Sequence, residues 1–271
     1  MSPVSRILRS ATYLGLGLAA LISVFPFYWM LVSMTNSAVE VANGKLTFGD
    51  QLIANFQSLL TEVDMVRVLF NSTVITLFGT ILTVALSSAA GYGFEIFRSR
   101  FKDHLFSLLL LMLSIPFGAM MIPLFVMFAK AGLLNSFAAI LLPGIASIFI
   151  VFYFRQATKA FPHELRDAAR IDGLNELQIF LRIYLPVMRS TYAAATVIVF
   201  MANWNAYLWP LIVLQTNDMK TITLVVSSLV SAYNPNYGVV SVAAVIATLP
   251  TCLVFFILQR SFVEGLTGGV K

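Results

Sequence analysis

Residue types that do covalent or metal chemistry are scarce in this chain. There is one cysteine, Cys252, and there are two histidines, His104 and His163. A single thiol excludes an internal disulfide and any multi-cysteine metal site. Two histidines far apart in sequence leave little material for zinc. Neither H-E-x-x-H nor G-x-x-x-x-G-K-S/T occurs, and no paired catalytic acids appear, so the chain reads as neither a zinc hydrolase nor an ATPase. What remains is recognition chemistry. In Asn203-Trp204-Asn205 two amides flank an indole, with Trp209 and Pro210 beyond. Amides and aromatic faces suit a sugar; helix–helix hydrogen bonding with an interfacial aromatic anchor accounts for the same residues. Gly91-Tyr92-Gly93 has the composition of a potassium filter. Ala89-Ala90 precede it, however, and it falls inside an apolar run, so it reads as small residues that let helices pack.

The elements that hold these residues are set by composition. Of 271 residues, 59% are hydrophobic and 11% charged, against roughly a quarter charged in a soluble domain. So apolar a chain excludes a soluble enzyme, a disordered segment and a collagenous one. Six charge-free runs are long enough to cross a bilayer: about 11–34, 68–94, 105–129, 131–154, 190–214 and 239–258. Residues 221–233 are too short to cross and end in the turn signal Tyr233-Asn234-Pro235-Asn236-Tyr237-Gly238. The fold class is all-α: a polytopic membrane protein, 1–271 forming one transmembrane domain. The first run exceeds a signal peptide's apolar core and lacks a clear cleavage site, so it reads as a retained span.

With the N-terminus inside, thirteen of the 17 basic residues lie on the cytoplasmic side; the outer segments keep Lys45, Arg67, Lys130 and Lys220 beside five acids. The net charge of +5 is thus a topology signal that places both termini inside, not a nucleic-acid footprint. No ionisable residue sits at mid-depth in a span, which disfavours a proton- or ion-coupled carrier. Pro116, Pro123, Pro143 and Pro250 are candidate kinks.

Residues 161–186 form the most informative segment. Pro162 suits the first position of a helix, with Glu164 complementing its dipole. Leu165, Ala168 and Ala169 share a face, and Gly173 can end the helix in a left-handed cap. Asn175 then caps a second helix with Gln178 as capping-box partner; Leu177, Phe180, Leu181 and Tyr184 form its stripe, and Pro186 ends it. A pair of surface helices on lipid is one account. The slight negative charge from His163 to Tyr184 and the adjacent alanines favour docking on a protein.

Asp167-Ala168-Ala169, Asp172-Gly173, Phe180, Ile183 and Leu185-Pro186 resemble the EAA motif of ABC importer permeases. The run from Asn203 to Leu211 and the tail from Gln259 to Lys271 are similar to the MalG-like, binding-protein-dependent carbohydrate-uptake branch. Asp167 stands where Glu is usual, and Leu174 where Ala is common. The resemblance implies a pore-forming subunit, not an enzyme. It would pair with a second, usually different permease subunit, two ATPase subunits and a periplasmic or lipid-anchored sugar-binding protein, in the inner (plasma) membrane of a bacterium or archaeon. No cofactor would bind this chain; ATP and Mg would reside in the ATPases. Asp167, Ala168, Ala169, Asp172, Gly173, Phe180 and Pro186 would couple to an ATPase, with Gly268, Gly269 and Lys271 as a contacting tail. Asn203, Trp204 and Asn205 would line a substrate path, and Asn234 and Asn236 would meet the binding protein. The rival is a stand-alone secondary carrier or channel, which should show an intramembrane charge or an internal repeat.

Overall fold

The computed structural model describes the backbone of residues 3–266 and the side chains of residue 9 and residues 12–259. Gly268, Gly269 and Lys271 lie outside the described residues. Among the described residues there is helix and no strand. In order the helices are α1 (Pro3–Ser33), α2 (Ala38–Ala42), α3 (Leu52–Glu62), α4 (Met65–Ile96), α5 (Arg100–Met112), α6 (Phe117–Lys130), α7 (Phe137–Gly144), α8 (Ile148–Thr158), α9 (His163–Ile171), α10 (Glu176–Ile179), α11 (Leu185–Val187), α12 (Arg189–Trp204), α13 (Leu208–Val213), α14 (Ile222–Val230) and α15 (Tyr237–Leu266). A π-helical turn, Phe180–Tyr184, joins α10 to α11. Four helical segments are long and apolar enough to cross a bilayer unaided; six spans result if each of two bent helix pairs crosses as one.

The bends revise the spans read from sequence. Residues 105–129 do not form one rod: α5 and α6 meet at 97°. Pro116 lacks an N–H and keeps Ile115 out of helical geometry, so the chain restarts with Pro116 as the N-cap of α6. Residues 131–136 are a connection, with Gly132 at φ +67° and Asn135 at φ +56°. Ser136 then caps α7 by accepting from the Ala139 N–H. Ser147 caps α8 after a 42° break. The fifth run breaks at 205–207, between α12 and α13.

The chain divides into two compact units. The first takes the described residues up to Met65 together with Val225–Leu249. It is knotted by two buried amides. Asn36 Nδ2 donates to the carbonyls of Val32 and Thr47, and Asn55 Nδ2 to those of Met34 and Asn36, at 2.9–3.0 Å. Gly238 packs so closely on this knot that a Cβ there would lie 2.5 Å from Asn55 Nδ2. Glu40 completes a capping box with Ser37 and pairs with Lys45 at 2.8 Å.

The second unit takes Val66–Leu224 and the described residues from Pro250 on. Its axis is α4, which carries one residue of each of three buried clusters. Ile75 packs with Phe128, Ile140 and Trp209; Val84 with Ile150, Phe154 and Ala195; and Tyr92 with Phe161, Tyr184 and Met188. From Ile75 to Tyr92 the helix rises roughly 25 Å. At its other end Asn71 Nδ2 donates to the carbonyls of Asp218 (2.8 Å) and Lys220 (3.1 Å), and Ser72 Oγ accepts from the Ile222 N–H at 2.8 Å.

Candidate functional site

The segment between α8 and α12 folds much as its punctuation predicts. The chain leaves α9 through a Schellman motif: the Leu174 N–H bonds the Ala169 carbonyl at 3.0 Å and the Gly173 N–H that of Arg170 at 3.1 Å. Gly173 supplies the left-handed residue at φ +80°. Asn175 and Gln178 form a reciprocal capping box at the start of α10. Pro162 is the N-cap of α9 and not its first residue.

Glu176 binds the two short helices together. Its carboxylate accepts from Arg166 Nη2 at 2.9 Å and from Arg170 Nε at 2.8 Å, and from the Tyr92 hydroxyl at 3.2 Å. Burial alone would raise Glu176, but the hydrogen bonds from Arg166 and Arg170 outweigh it and hold the carboxyl below its ordinary range. Beneath them Tyr184 is fully buried and shares a 2.6 Å hydrogen bond with Thr158. Phe180 stacks on Tyr184, their centroids 5.4 Å apart.

The residues singled out by motif fall into two sets. Asp167, Ala168, Asp172 and Gly173 are exposed, with Leu165 and Ile171 on the same helix. Ala169 is buried against its own chain, 3% exposed, and is not part of that free face. Phe180 faces inward, toward Tyr92 and Tyr184. Pro186 does not end the second helix. The chain widens into the π-turn, and Pro186 lies inside α11, close before α12. A proline cannot donate to the carbonyl four residues back, and a wider turn absorbs that missing bond.

A second charged cluster was not legible in the sequence. Arg155, on α8, is buried and pairs with Glu95 at the end of α4 (3.2 Å) and with Asp103 on α5. Its guanidinium also lies 4.1 Å from the centroid of Phe106. Arg155 lies 60 positions from Glu95 and 52 from Asp103, so nothing local signals the pairing.

Farther along α4 lies a cavity of about 640 Å³, within the range of small-molecule sites. Two of the helix breaks open onto it: Gly144 and Ser147 from the α7–α8 break, and Asn205, Ala206 and Tyr207 from the α12–α13 break. Unwound backbone at such a place offers N–H and C=O groups to a solute. Asn203 also lines it, its Nδ2 3.5 Å from Thr80 Oγ1, and Gly79 makes room for that amide, since a Cβ there would sit 2.9 Å from Asn203 Nδ2. Trp204 does not line the cavity; it is buried and stacks on Phe200. Tyr207, which sequence reasoning missed, does. No Asp, Glu, Lys or Arg is among the lining residues, so the cavity suits a neutral polar solute. In the first unit, Asn234 and Asn236 are exposed, and Asn236 Oδ1 accepts from the Gly238 and Val239 N–H groups at the start of α15.

Comparison with known proteins places this architecture. The lactose transport system permease protein of Rhizobium radiobacter is 60% identical over 259 residues, covering 96% of this chain and 95% of that protein. The arabinooligosaccharides transport system permease protein of Bacillus subtilis (strain 168) is 34% identical over 276 residues, covering 100% and 98%. A chain of a bacterial ABC transporter involved in the import of the acidic polysaccharide alginate has the same fold, with a TM-score of 0.86 at 21% identity, covering 97% of this chain and 99% of that one. Residues 85–268 match the family described as "Binding-protein-dependent transport system inner membrane component". That stretch holds both charged clusters and the cavity residues from Phe117 to Pro210; the chain is a membrane permease and belongs to this family.

Proposed function

We propose that the chain is one of two permease subunits of an ATP-driven importer that takes up a neutral sugar or oligosaccharide handed over by an extracytoplasmic binding protein. The observation that carries this reading is the likeness to the lactose permease along nearly the whole chain. The uncharged cavity agrees with it. In this reading both termini are cytoplasmic and the permease domain spans the whole chain. ATP and Mg belong to two separate ATPase subunits. The exposed face of α9, from Leu165 through Asp167 and Ala168 to Ile171 and Asp172, seats on an ATPase; the exposed Gly173 ends that helix, and Ala169, Phe180 and Pro186 shape the loop from within. Gly268, Gly269 and Lys271 are the contacting tail. Asn203, Asn205 and Tyr207 line the solute's path, and Asn234 and Asn236 face the binding protein. Closure of the ATPases on ATP displaces the loop, and the spans turn from inward- to outward-facing.

The reading is tested by Ala168→Glu in the complete transporter reconstituted in vesicles. A carboxylate forced into a dry protein contact costs several kcal/mol. The variant should insert and pair with its partner permease, yet lose the ATPase subunits on purification and lose disaccharide uptake. Full retention of both by Ala168→Glu would remove α9 from the ATPase contact.

A further inference from the structure

The loop has two routes by which a displacement can reach the spans. One is chain continuity, from α10 into α12. That route passes through the π-turn Phe180–Tyr184 and Pro186, where the regular hydrogen-bond ladder is interrupted. The other runs through a contact with α4. Tyr92 is 4% exposed and its ring lies 5.2 Å from Phe180 and 4.8 Å from Tyr184. Its hydroxyl reaches out of this aromatic nest to donate to Glu176 Oε2. Both arginines of α9 already satisfy the Glu176 charge, so the tyrosine adds something they cannot supply: a directional bond from the loop to a different element. That element continues from Tyr92 without a break past Thr83, Gly79 and Ile75, three residues of the cavity wall. The contact route is therefore the stiff one and the covalent route the compliant one.

We propose that Tyr92 and Glu176 are a positioning pair that transmits movement of the loop directly into α4, so that α4, and not only α12, drives the cavity wall. The proposal rests on the reading that the loop seats on an ATPase. Neither residue touches solute or nucleotide. The pair sets how much of each hydrolysis event is converted into transport, a role that stability alone does not provide.

The complete reconstituted transporter decides the matter, with disaccharide uptake per ATP hydrolysed as the readout. Tyr92→Phe keeps the ring and its packing and removes only the hydroxyl. It should keep its ATPase subunits and hydrolyse ATP, while uptake per ATP falls about fivefold or more. Glu176→Leu, which removes the acceptor that a glutamine would keep, should fall at least as far, and adding Tyr92→Phe to it should lower the ratio no further, because both act through one contact. A wild-type ratio in Tyr92→Phe overturns the proposal, as does a double variant whose defect is the product of the two singles. If Glu176→Leu fails to assemble, Tyr92→Phe alone decides. The two readings separate cleanly. Retention of ATPase subunits by Ala168→Glu sinks the docking of the loop. Their loss there, with normal uptake per ATP in Tyr92→Phe, sinks only the role of the pair.

Discussion

Gly91 lies directly against Phe154 where α4 crosses α8: a Cβ on Gly91 would be 2.6 Å from the Cβ of Phe154 and 2.8 Å from the backbone nitrogen of Arg155. Backbone cannot swing aside as a side-chain tip can. Gly93, two residues on, has nothing within 4 Å of such an atom. Of the two glycines in the Gly-Tyr-Gly triplet, only the first is held by packing.

Gly91→Val should therefore separate the helices and destabilise the fold by about 1–3 kcal/mol, the usual cost of overpacking. Gly93→Ala should be neutral or slightly stabilising, since alanine is the better helix former by up to about 1 kcal/mol. Thermal unfolding in detergent, followed by the recovery of monodisperse protein, distinguishes the two. Equal melting of both variants would show that the crossing has slack.

Removing Arg155 leaves the largely buried Glu95 with only the exposed Arg98, 3.7 Å away, as a counter-charge. Arg155→Met should cost roughly 2–3 kcal/mol, short of a fully unpaired buried charge because Arg98 still faces both carboxylates, and Arg155→Lys should recover only part of it, because a single ammonium cannot reproduce the fork that meets two carboxylates and a ring. Arg155→Met combined with Glu95→Gln should be less damaged than Arg155→Met alone. The measurement is again the melting temperature, and a double variant worse than the single would mean that Glu95 is not the group left stranded.

Glu40 carries a pH signature outside the spans. The hydrogen bond from Lys45, followed by those from Ser37, lowers its pKa to about 2. A depressed carboxyl pKa gives stability that is complete above the unfolded value, near 4.3, and disappears as pH falls through the folded value. The Ser37–Glu40–Lys45 corner should stay closed at pH 4 and open only near pH 2. Selective labelling of the carboxyl carbon should give that midpoint, and Lys45→Met should move it upward. A wild-type midpoint above 4 would show the pair to be open in solution.

Orientation follows from the charge bias. Cysteines placed at Asn43 and Arg100 and probed with an impermeant maleimide in whole cells should react at the first position only. Labelling of the Arg100 site from outside would invert the topology.

The loop from Pro162 to Gln178 was legible because its signals are local: a proline, a glycine and an Asn–Gln box act on their immediate neighbours. Its faces were less so. Ala168 and Ala169 share a helix side, yet only Ala168 is free; Ala169 is covered by contacts that no periodicity reveals. The bent spans were missed for a related reason. A charge-free run measures how much chain can sit in lipid, not whether it is straight, and Pro116 turned what reads as one span through 97°. The Arg155 cluster lay beyond sequence reading altogether, because Glu95, Asp103 and Arg155 meet only once three helices have packed. In the cavity, the amide of Asn203 was anticipated, but Tyr207 took the place expected of Trp204 because the helix breaks between them.

The widened turn at Phe180–Tyr184 holds one residue more than an α-helical turn of the same reach. Loss of one residue there lets the chain close into regular helix with both flanks facing as before. The same loss early in α12 would rotate every later side chain by roughly 100° and carry Asn203 off the cavity wall. Chain length is thus elastic on the loop side and phase-locked on the cavity side. Insertions and deletions tolerated among relatives should collect within those five positions and stop short of Arg189.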